Sequence, residues 1–170
     1  MPYYIDEEDD VRLTETVAIM KYICRKYKPE MLGATAKEQG RVEMLLFYVA
    51  EIKEKATNAC YFDGDREAII ANVRPMLVKL AEVLASYKNP NFWLAGSENL
   101  TYLDFYFAEL LDMLDKLSIG AFYQEMPHLK TYWDRFIQLD NLREAWADDS
   151  KLMKRPFNNA YAKLLTETAS

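Results

Sequence analysis

The chain has 170 residues, a formal net charge of −6 and a hydrophobic fraction of 51%. This length and apolar content suit one domain, or one domain with a small appendage, and they exclude a disordered chain. Five Gly and six Pro are too few turn residues for an all-β sandwich, so helices must dominate. The acidic balance has the wrong sign for binding a polyphosphate backbone, which excludes nucleic acid as a partner.

Cysteine usage and the absence of targeting signals predict a cytoplasmic location or another intracellular compartment. Cys24 and Cys60 cannot form a disulfide framework, and neither has metal-ligand spacing to a second Cys or His, so no metal is expected. No uncharged window approaches the roughly 18 residues that span a bilayer, so no transmembrane segment is expected. The single histidine, His128, follows Pro127 at a helix start and is assigned no chemistry.

Residues 1 to 13 are the only segment with strand character. Pro2 to Ile5 is aromatic and β-branched, residues 6–10 are all acidic, and Val11 to Leu13 alternates again. This pattern predicts one β-hairpin. Because an isolated hairpin is marginal in water and exposes strand edges, another surface must cover it.

Capping patterns predict where the first helices begin. Thr14 is the predicted N-cap of a helix that ends near residues 26–29. Thr35 and Glu38 form a capping-box pattern ahead of a long helix whose apolar stripe extends to about Tyr61. A further amphipathic helix over residues 69–87 should pack antiparallel to it.

The segment Leu100 to Phe105 carries the most informative local signal. Thr101 and Asp104 match a capping box, and Leu100 with Phe105 match a hydrophobic staple. The helix that follows is apolar nearly all round, which predicts a position at the centre of a bundle.

Two shorter helices complete the predicted bundle. One starts at Pro127, and the other holds Leu142, Ala145 and Trp146. From Lys151 the chain is basic and then polar and should lie over the surface. The predicted fold is therefore mostly α, a helical bundle preceded by a β-hairpin.

This succession of elements resembles the cytosolic glutathione transferases. The similarity lies in the proline-started hairpin, the helix start Glu15-Thr16-Val17-Ala18-Ile19, the stapled helix after Ala95-Gly96, and Phe122…Met126-Pro127-His128-Leu129. Cys60-Tyr61 and Arg155-Pro156 look most like the mu class. The resemblance covers essentially the whole chain. It implies a thioredoxin-like remnant, hairpin plus helix, over residues 1–28 and the family's all-α C-terminal domain over residues 35–170.

The resemblance also implies where glutathione would bind. Glu15 and Thr16 match the pair whose backbone N–H and hydroxyl hold the γ-glutamyl carboxylate. Glu51 matches an acidic residue that reaches the neighbouring subunit's glutathione, and Tyr61 matches a tyrosine that faces the electrophile. From the residues alone, Glu15 and Thr16 simply start a helix, Glu51 is a solvated helix charge and Tyr61 is a core aromatic, and these interpretations stay open.

In the family, the hydroxyl or thiol that stabilises the glutathione thiolate lies in a strand, a helix and a second strand that precede this hairpin. Conjugation needs that group, because a thiol with a pKa of about 8.5 attacks as its thiolate. Since the group belongs to the segment ahead of the hairpin, the resemblance assigns no catalytic residue here. We expect a non-catalytic binding or structural subunit, in a homodimer or a larger assembly, with glutathione as a ligand and no required cofactor. The alternative is an active mu-like transferase, using glutathione as cosubstrate, whose missing part is supplied elsewhere. A carrier of apolar ligands is a third interpretation.

Overall fold

The computed structural model describes residues 2–117, 121–147, 157 and 159–164, with 121 and 122 described by their backbone alone. Within these residues the chain is a bundle of helices behind one hairpin, as predicted. In chain order the elements are β1 (Tyr3–Asp6), β2 (Val11–Thr14), α1 (Thr16–Tyr27), a 3₁₀-helix (Pro29–Leu32), α2 (Ala36–Asn58), a π-helix (Ala59–Asp63), α3 (Arg66–Ala85), α4 (Tyr102–Lys116), α5 (Ala121–Glu125) and α6 (Pro127–Ile137).

The predicted hairpin forms and packs on α1. β1 and β2 are antiparallel, with Tyr3 opposite Thr14 and Asp6 opposite Val11. The Tyr4 ring lies 5.8 Å from the ring of Tyr22 on α1. One face of the hairpin is therefore covered by the first helix.

The predicted N-cap of the first helix, Thr14, is wrong. Thr14 ends β2 in its pairing with Tyr3, and α1 begins only at Thr16. Because strand pairing holds Thr14 in the hairpin, the change of direction falls on Glu15, which has φ 70° and ψ 118°. Of the apolar residues on α1, Cys24 is buried, whereas Ile23 is 37% exposed.

Helices α2 and α3 supply one wall of the core, and the apolar stripe predicted for α2 is buried. The Thr35 hydroxyl caps α2 by accepting from the Glu38 amide at 3.1 Å. The Glu38 carboxylate accepts from the Ala34 amide at 2.9 Å, one position ahead of the expected capping box. The long helix continues past Asn58 as the π-helix, so the predicted end near Tyr61 falls inside that element.

Helix α4 occupies the centre of the bundle, as its apolar sequence predicts. Eleven of its 15 residues are buried. The capping box of Thr101 and Asp104 forms at its start. The apolar residues that are fully enclosed on this helix are Leu103, Phe107, Ala108, Leu110, Leu111 and Leu114.

The end of the chain departs from the predicted helices. The helix that begins at Pro127 is confirmed, but the residues around Leu142 and Trp146 form turns instead of a helix. These turns keep isolated helical hydrogen bonds, such as Trp146 N–H to the Leu142 carbonyl at 3.0 Å. A segment this short gains too few such bonds to offset the cost of helix nucleation. Lys151 and the Arg155-Pro156 pair lie outside the described residues.

Candidate functional site

The start of α1 carries the predicted glutathione pair at an exposed corner of the molecule. Glu15 and Thr16 are both exposed, and the Glu15 carbonyl accepts the first helical bond from the Ile19 amide at 3.0 Å. The positive φ of Glu15 is uncommon for a residue with a side chain. Such a conformation costs on the order of 1 kcal/mol or more and persists only where the surrounding structure holds it.

The chemistry of this corner is complementary to a carboxylate. The first backbone N–H groups of a helix have no partner within the helix, and the helix dipole makes this end positive. The Thr16 hydroxyl adds a donor beside these amides. The exposed carboxylate of Glu15 can accept from an ammonium group. A γ-glutamyl group carries both a carboxylate and an ammonium. The amides and the Thr16 hydroxyl are donors of the kind that suits the carboxylate, and the Glu15 carboxylate is an acceptor of the kind that suits the ammonium.

An ionic cluster that sequence reasoning missed fixes the hairpin against α1. The Lys26 ammonium lies 2.6 Å from Asp6 and 2.9 Å from Asp9. The Tyr22 hydroxyl donates to the same two carboxylates at 3.0 Å. Hydrogen bonding to Lys26 is the largest cause that lowers the pKa of Asp6 and of Asp9. Lys26 lies in the last turn of α1, so its ion pairs hold that end of the helix against the hairpin turn. They thereby fix the orientation of α1, which begins next to Glu15 and Thr16.

A second polar group joins α1 to the bundle. Lys21 of α1 forms an ion pair with Glu43 of α2 at 2.8 Å. The hydroxyl of Tyr102, on α4, donates to the same carboxylate at 3.1 Å. Three helices therefore meet at Glu43, and the start of α1 has a defined position relative to the helical bundle.

Glu51 and Tyr61 lie on other elements and make separate contacts. Glu51 is exposed on α2 and pairs with Lys55, one turn further on, at 3.3 Å. A pair of exposed charges of this kind contributes little stability. Tyr61 lies in the π-helix, and its hydroxyl accepts from the backbone amide of Asn159 at 3.2 Å. The segment 159–164 is held there by a further bond, from the Leu164 amide to the Cys60 carbonyl at 3.0 Å.

An apolar cavity of about 200 Å³ opens between α1, the 3₁₀-helix and the start of α4. Apolar and aromatic side chains form most of its wall, and Lys28 lies at its rim. Periodicity did not predict it, because an apolar stripe on α1 shows which face is turned inward and not how much space remains beside it. The apolar lining residues are Met20, Ile23, Cys24, Tyr27, Met31 and Phe105, with Tyr102 beside them.

The remaining titratable residues singled out from the sequence form no metal centre. Across the described residues, no group of three or more His, Cys, Asp and Glu side chains is arranged to hold a metal ion. Cys24 and Cys60 are both buried, and burial is the largest cause that raises the pKa of the Cys24 thiol. His128 is exposed on α6 beside Arg135 and lines a small pocket of about 90 Å³.

A helical bundle behind a hairpin, with an open helix start at their junction, is the arrangement that the resemblance implied. The family model for the glutathione S-transferase C-terminal domain matches residues 19–140. The chain therefore belongs to the glutathione S-transferase family. In the part of the chain that the structure describes, no helix is long and apolar enough to cross a membrane.

Mu-class glutathione S-transferases are among the sequence relatives. Human glutathione S-transferase Mu 3 is 28% identical over 163 residues, which are 96% of this chain and 69% of that protein. The class-mu 26 kDa isozyme 51 of Fasciola hepatica is 28% identical over 159 residues, which are 94% of this chain and 69% of that protein.

Solved structures show the same fold. Glutathione S-transferase Blo t 8 superposes with a TM-score of 0.83 at 24% identity, over 96% of this chain and 75% of that one. A glutathione S-transferase-I bound with lactoylglutathione superposes with a TM-score of 0.69 at 22% identity, over 84% of this chain and 72% of that one. The expectation of a transferase-type helical bundle is confirmed.

Proposed function

We propose that the chain is a glutathione-transferase-like binding or structural subunit that does not catalyse conjugation by itself. The observation that carries this proposal is that four tyrosine hydroxyls of α1, α4, α6 and the segment after α3 donate to protein acceptors. Tyr22 donates to Asp6 and Asp9, Tyr87 to the Leu94 carbonyl, Tyr102 to Glu43 and Tyr132 to Asp104.

Conjugation needs a group that favours the thiolate form of glutathione, because the free thiol has a pKa of about 8.5. A tyrosine can do this by donating its hydroxyl proton to sulfur. Tyr102 would first have to give up its bond to the Glu43 carboxylate. Burial, followed by the charge of Glu43, raises the pKa of Tyr102, so this hydroxyl keeps its proton. That proton is already donated to Glu43 and cannot be donated to a sulfur atom at the same time. The arrangement supports binding and not activation of sulfur.

The binding half of the proposal places glutathione at the start of α1. The first backbone N–H groups of α1, the Thr16 hydroxyl and the Glu15 carboxylate complement the charges of a γ-glutamyl group. Two further assignments stay predictions: Glu51 as a contact to the ligand of a neighbouring subunit, and Tyr61 as a contact to an apolar group. The same holds for the boundaries 1–28 and 35–170, for a homodimer or larger assembly, and for an intracellular location.

The alternative is an active mu-like transferase in which another chain supplies the groups that act on sulfur. A carrier of apolar ligands is the third candidate. These functions differ in whether the chain binds glutathione and whether it turns glutathione over.

Glutathione-affinity chromatography followed by a conjugation assay with an aromatic halide tests the proposal. We expect retention without turnover, and we expect Thr16→Val to reduce retention because it removes a donor at the helix start. Thr131→Val, at an exposed threonine on α6, is the matched control and should be retained like the unmodified chain. Turnover by the purified chain alone would overturn the proposal, and unchanged retention of Thr16→Val would overturn the placement of glutathione.

A further inference from the structure

We propose that the pocket of about 90 Å³ between α3 and α6 binds a small organic carboxylate, whose acid group lies beside Arg135 and His128. The short apolar body of this acid lies against the carbon surface that Leu84 and Phe92 supply. The site is separate from the start of α1, where glutathione is placed, so this inference goes beyond the proposed function.

The helical bundle alone forms this pocket. Its lining residues come from the last turn of α3, the loop that follows α3 and one face of α6, and none of them belongs to the hairpin or to α1. His128 and Arg135 are seven residues apart, which places them two turns apart on the same face of α6. The end of α3 and the loop therefore contribute mainly carbon, whereas α6 contributes the basic side chains.

Arg135 brings to the pocket a positive charge that no acidic side chain neutralises. Its guanidinium donates to the Pro90 carbonyl at 3.0 Å and to the Phe92 carbonyl at 2.8 Å, and it stacks on the Trp93 ring at 3.9 Å. Within the described part of the chain, no carboxylate oxygen lies within 4.0 Å of it, and its Nε–H is buried without an acceptor. Burial is the largest cause that lowers the pKa of Arg135. A negative charge beside the guanidinium offsets this cost of burying a cation.

The charge of the pocket is opposite to that of the whole chain. The chain carries 27 Asp and Glu side chains and a formal net charge of −6, yet none of the described residues that line the pocket is acidic. Asp134, next to Arg135 in sequence, is paired with Lys130. The His128 imidazole donates one N–H when neutral and two when cationic, so it suits an anion in either state. The pocket therefore offers two basic side chains to an external anion.

The remaining wall and the size of the pocket select an organic acid among anions. Leu84, Pro90 and Phe92 present carbon, and the hydroxyls of Tyr87 and Tyr132 are already donated to other acceptors. Inorganic phosphate would leave this carbon surface in water, whereas an alkyl chain covers it. Since an apolar cavity of about 150 Å³ holds the six carbons of benzene, about 90 Å³ suits a chain of about three carbons. Butyrate, with three carbons beyond its acid group, has this size.

Two-dimensional amide NMR of the full chain, titrated with butyrate, tests the proposal. Butanol has a similar chain without charge, butylammonium has the opposite charge, and inorganic phosphate has negative charge without an apolar body. At constant ionic strength we expect butyrate to shift the amides of residues 128–135 with saturation in the millimolar range, as suits a ligand with so few atoms. The three comparison compounds should bind at least about tenfold more weakly.

Two variants with matched controls locate the acid group. Arg135→Met removes the charge and keeps an apolar stem, and it should weaken butyrate binding by about tenfold or more. Arg143→Met removes the same charge from an exposed arginine beyond α6 and should leave the affinity unchanged. His128→Glu places a carboxylate at the pocket and should weaken binding by about fivefold to tenfold. Gln138→Glu, an equal charge change at the exposed C-cap of α6, should not weaken it.

Arg135 also holds the loop after α3, so circular dichroism melts check that each variant is folded. If Arg135→Met does not fold, His128→Glu and its control decide the question, because His128 is exposed. Equal binding of butyrate and butanol, binding of phosphate as tight as that of butyrate, or unchanged binding by His128→Glu would overturn the proposal. Amide shifts that never saturate with butyrate would overturn it as well.

Discussion

Asp104 is the polar residue on which the centre of the bundle most depends. Its carboxylate is fully buried and accepts four hydrogen bonds. Two come from backbone amides, Leu94 at 2.9 Å and Thr101 at 2.8 Å. The other two come from hydroxyls, Thr101 at 2.9 Å and Tyr132 at 2.7 Å. The residue therefore joins the start of α4 to the preceding loop and to α6.

The cost of Asp104→Ala follows from these four donors. The two backbone amides cannot turn away, and each buried donor left without a partner costs about 1 to 3 kcal/mol. The two hydroxyls can rotate toward other acceptors and cost less. We expect a loss of about 4 kcal/mol, which is a large part of the roughly 5 to 15 kcal/mol that stabilises a domain. Thr101→Ala removes one donor and should cost about 1 kcal/mol.

A double-mutant cycle in urea, followed by tryptophan fluorescence, measures both the magnitude and the coupling. Because the Thr101 hydroxyl donates to the Asp104 carboxylate, adding Thr101→Ala to Asp104→Ala should cost less than the loss of about 1 kcal/mol expected for Thr101→Ala alone. Asp104→Asn, which keeps the shape, serves if the alanine variant does not fold. Faster hydrogen exchange of the Leu94 amide is the local readout. A loss below about 2 kcal/mol for Asp104→Ala, or simple additivity of the two changes, would refute this account.

Three further predictions follow from other contacts. Glu15→Gln should change the free energy of unfolding by less than about 0.5 kcal/mol, because the side chain is exposed, and a larger loss in urea would contradict this. Arg135→Lys should cost about 1 to 2 kcal/mol in thermal melts, since Arg135 donates to the Phe92 carbonyl at 2.8 Å and stacks on Trp93 at 3.9 Å; an unchanged melt would argue against it. Lys26 lowers the folded pKa of Asp6, so the Asp6–Lys26 pair adds to the free energy of unfolding above about pH 4. This contribution is lost as the pH falls through the lowered pKa of Asp6. Lys26→Met should therefore flatten the dependence of the free energy of unfolding on acid, measured in urea between neutral and acidic pH, and an unaltered slope would exclude the cluster as its source.

The features that sequence reasoning predicted correctly are those decided within a few residues. The capping box of Thr101 and Asp104 spans three positions, so its residue types fix the start of α4 before any tertiary contact is considered. The apolar side chains on nearly all sides of that helix likewise predict its burial. The hairpin is likewise predicted by two short strands with an acidic turn between them.

Features decided by distant residues were missed. Lys26 and Asp6 are 20 positions apart, and no local pattern joins them. The 3.6-residue period on α1 predicts an inward face but says nothing of the cavity beside it. At the start of α1 a local rule was overridden, since Thr14 is a good N-cap by type and yet remains in the strand because it pairs with Tyr3.

That override explains why the candidate site lies where it does. With Thr14 held in β2, the chain has a single residue in which to turn from strand to helix, and Glu15 does so at a φ of 70°. The Lys26 cluster and the Glu43 ion pair hold both sides of this turn, so the strain at Glu15 cannot relax by moving the hairpin or the helix. A helix start that is rigidly placed and not covered by its own cap side chain leaves its amides available to an external carboxylate, which is the property that glutathione binding at Glu15 and Thr16 would use.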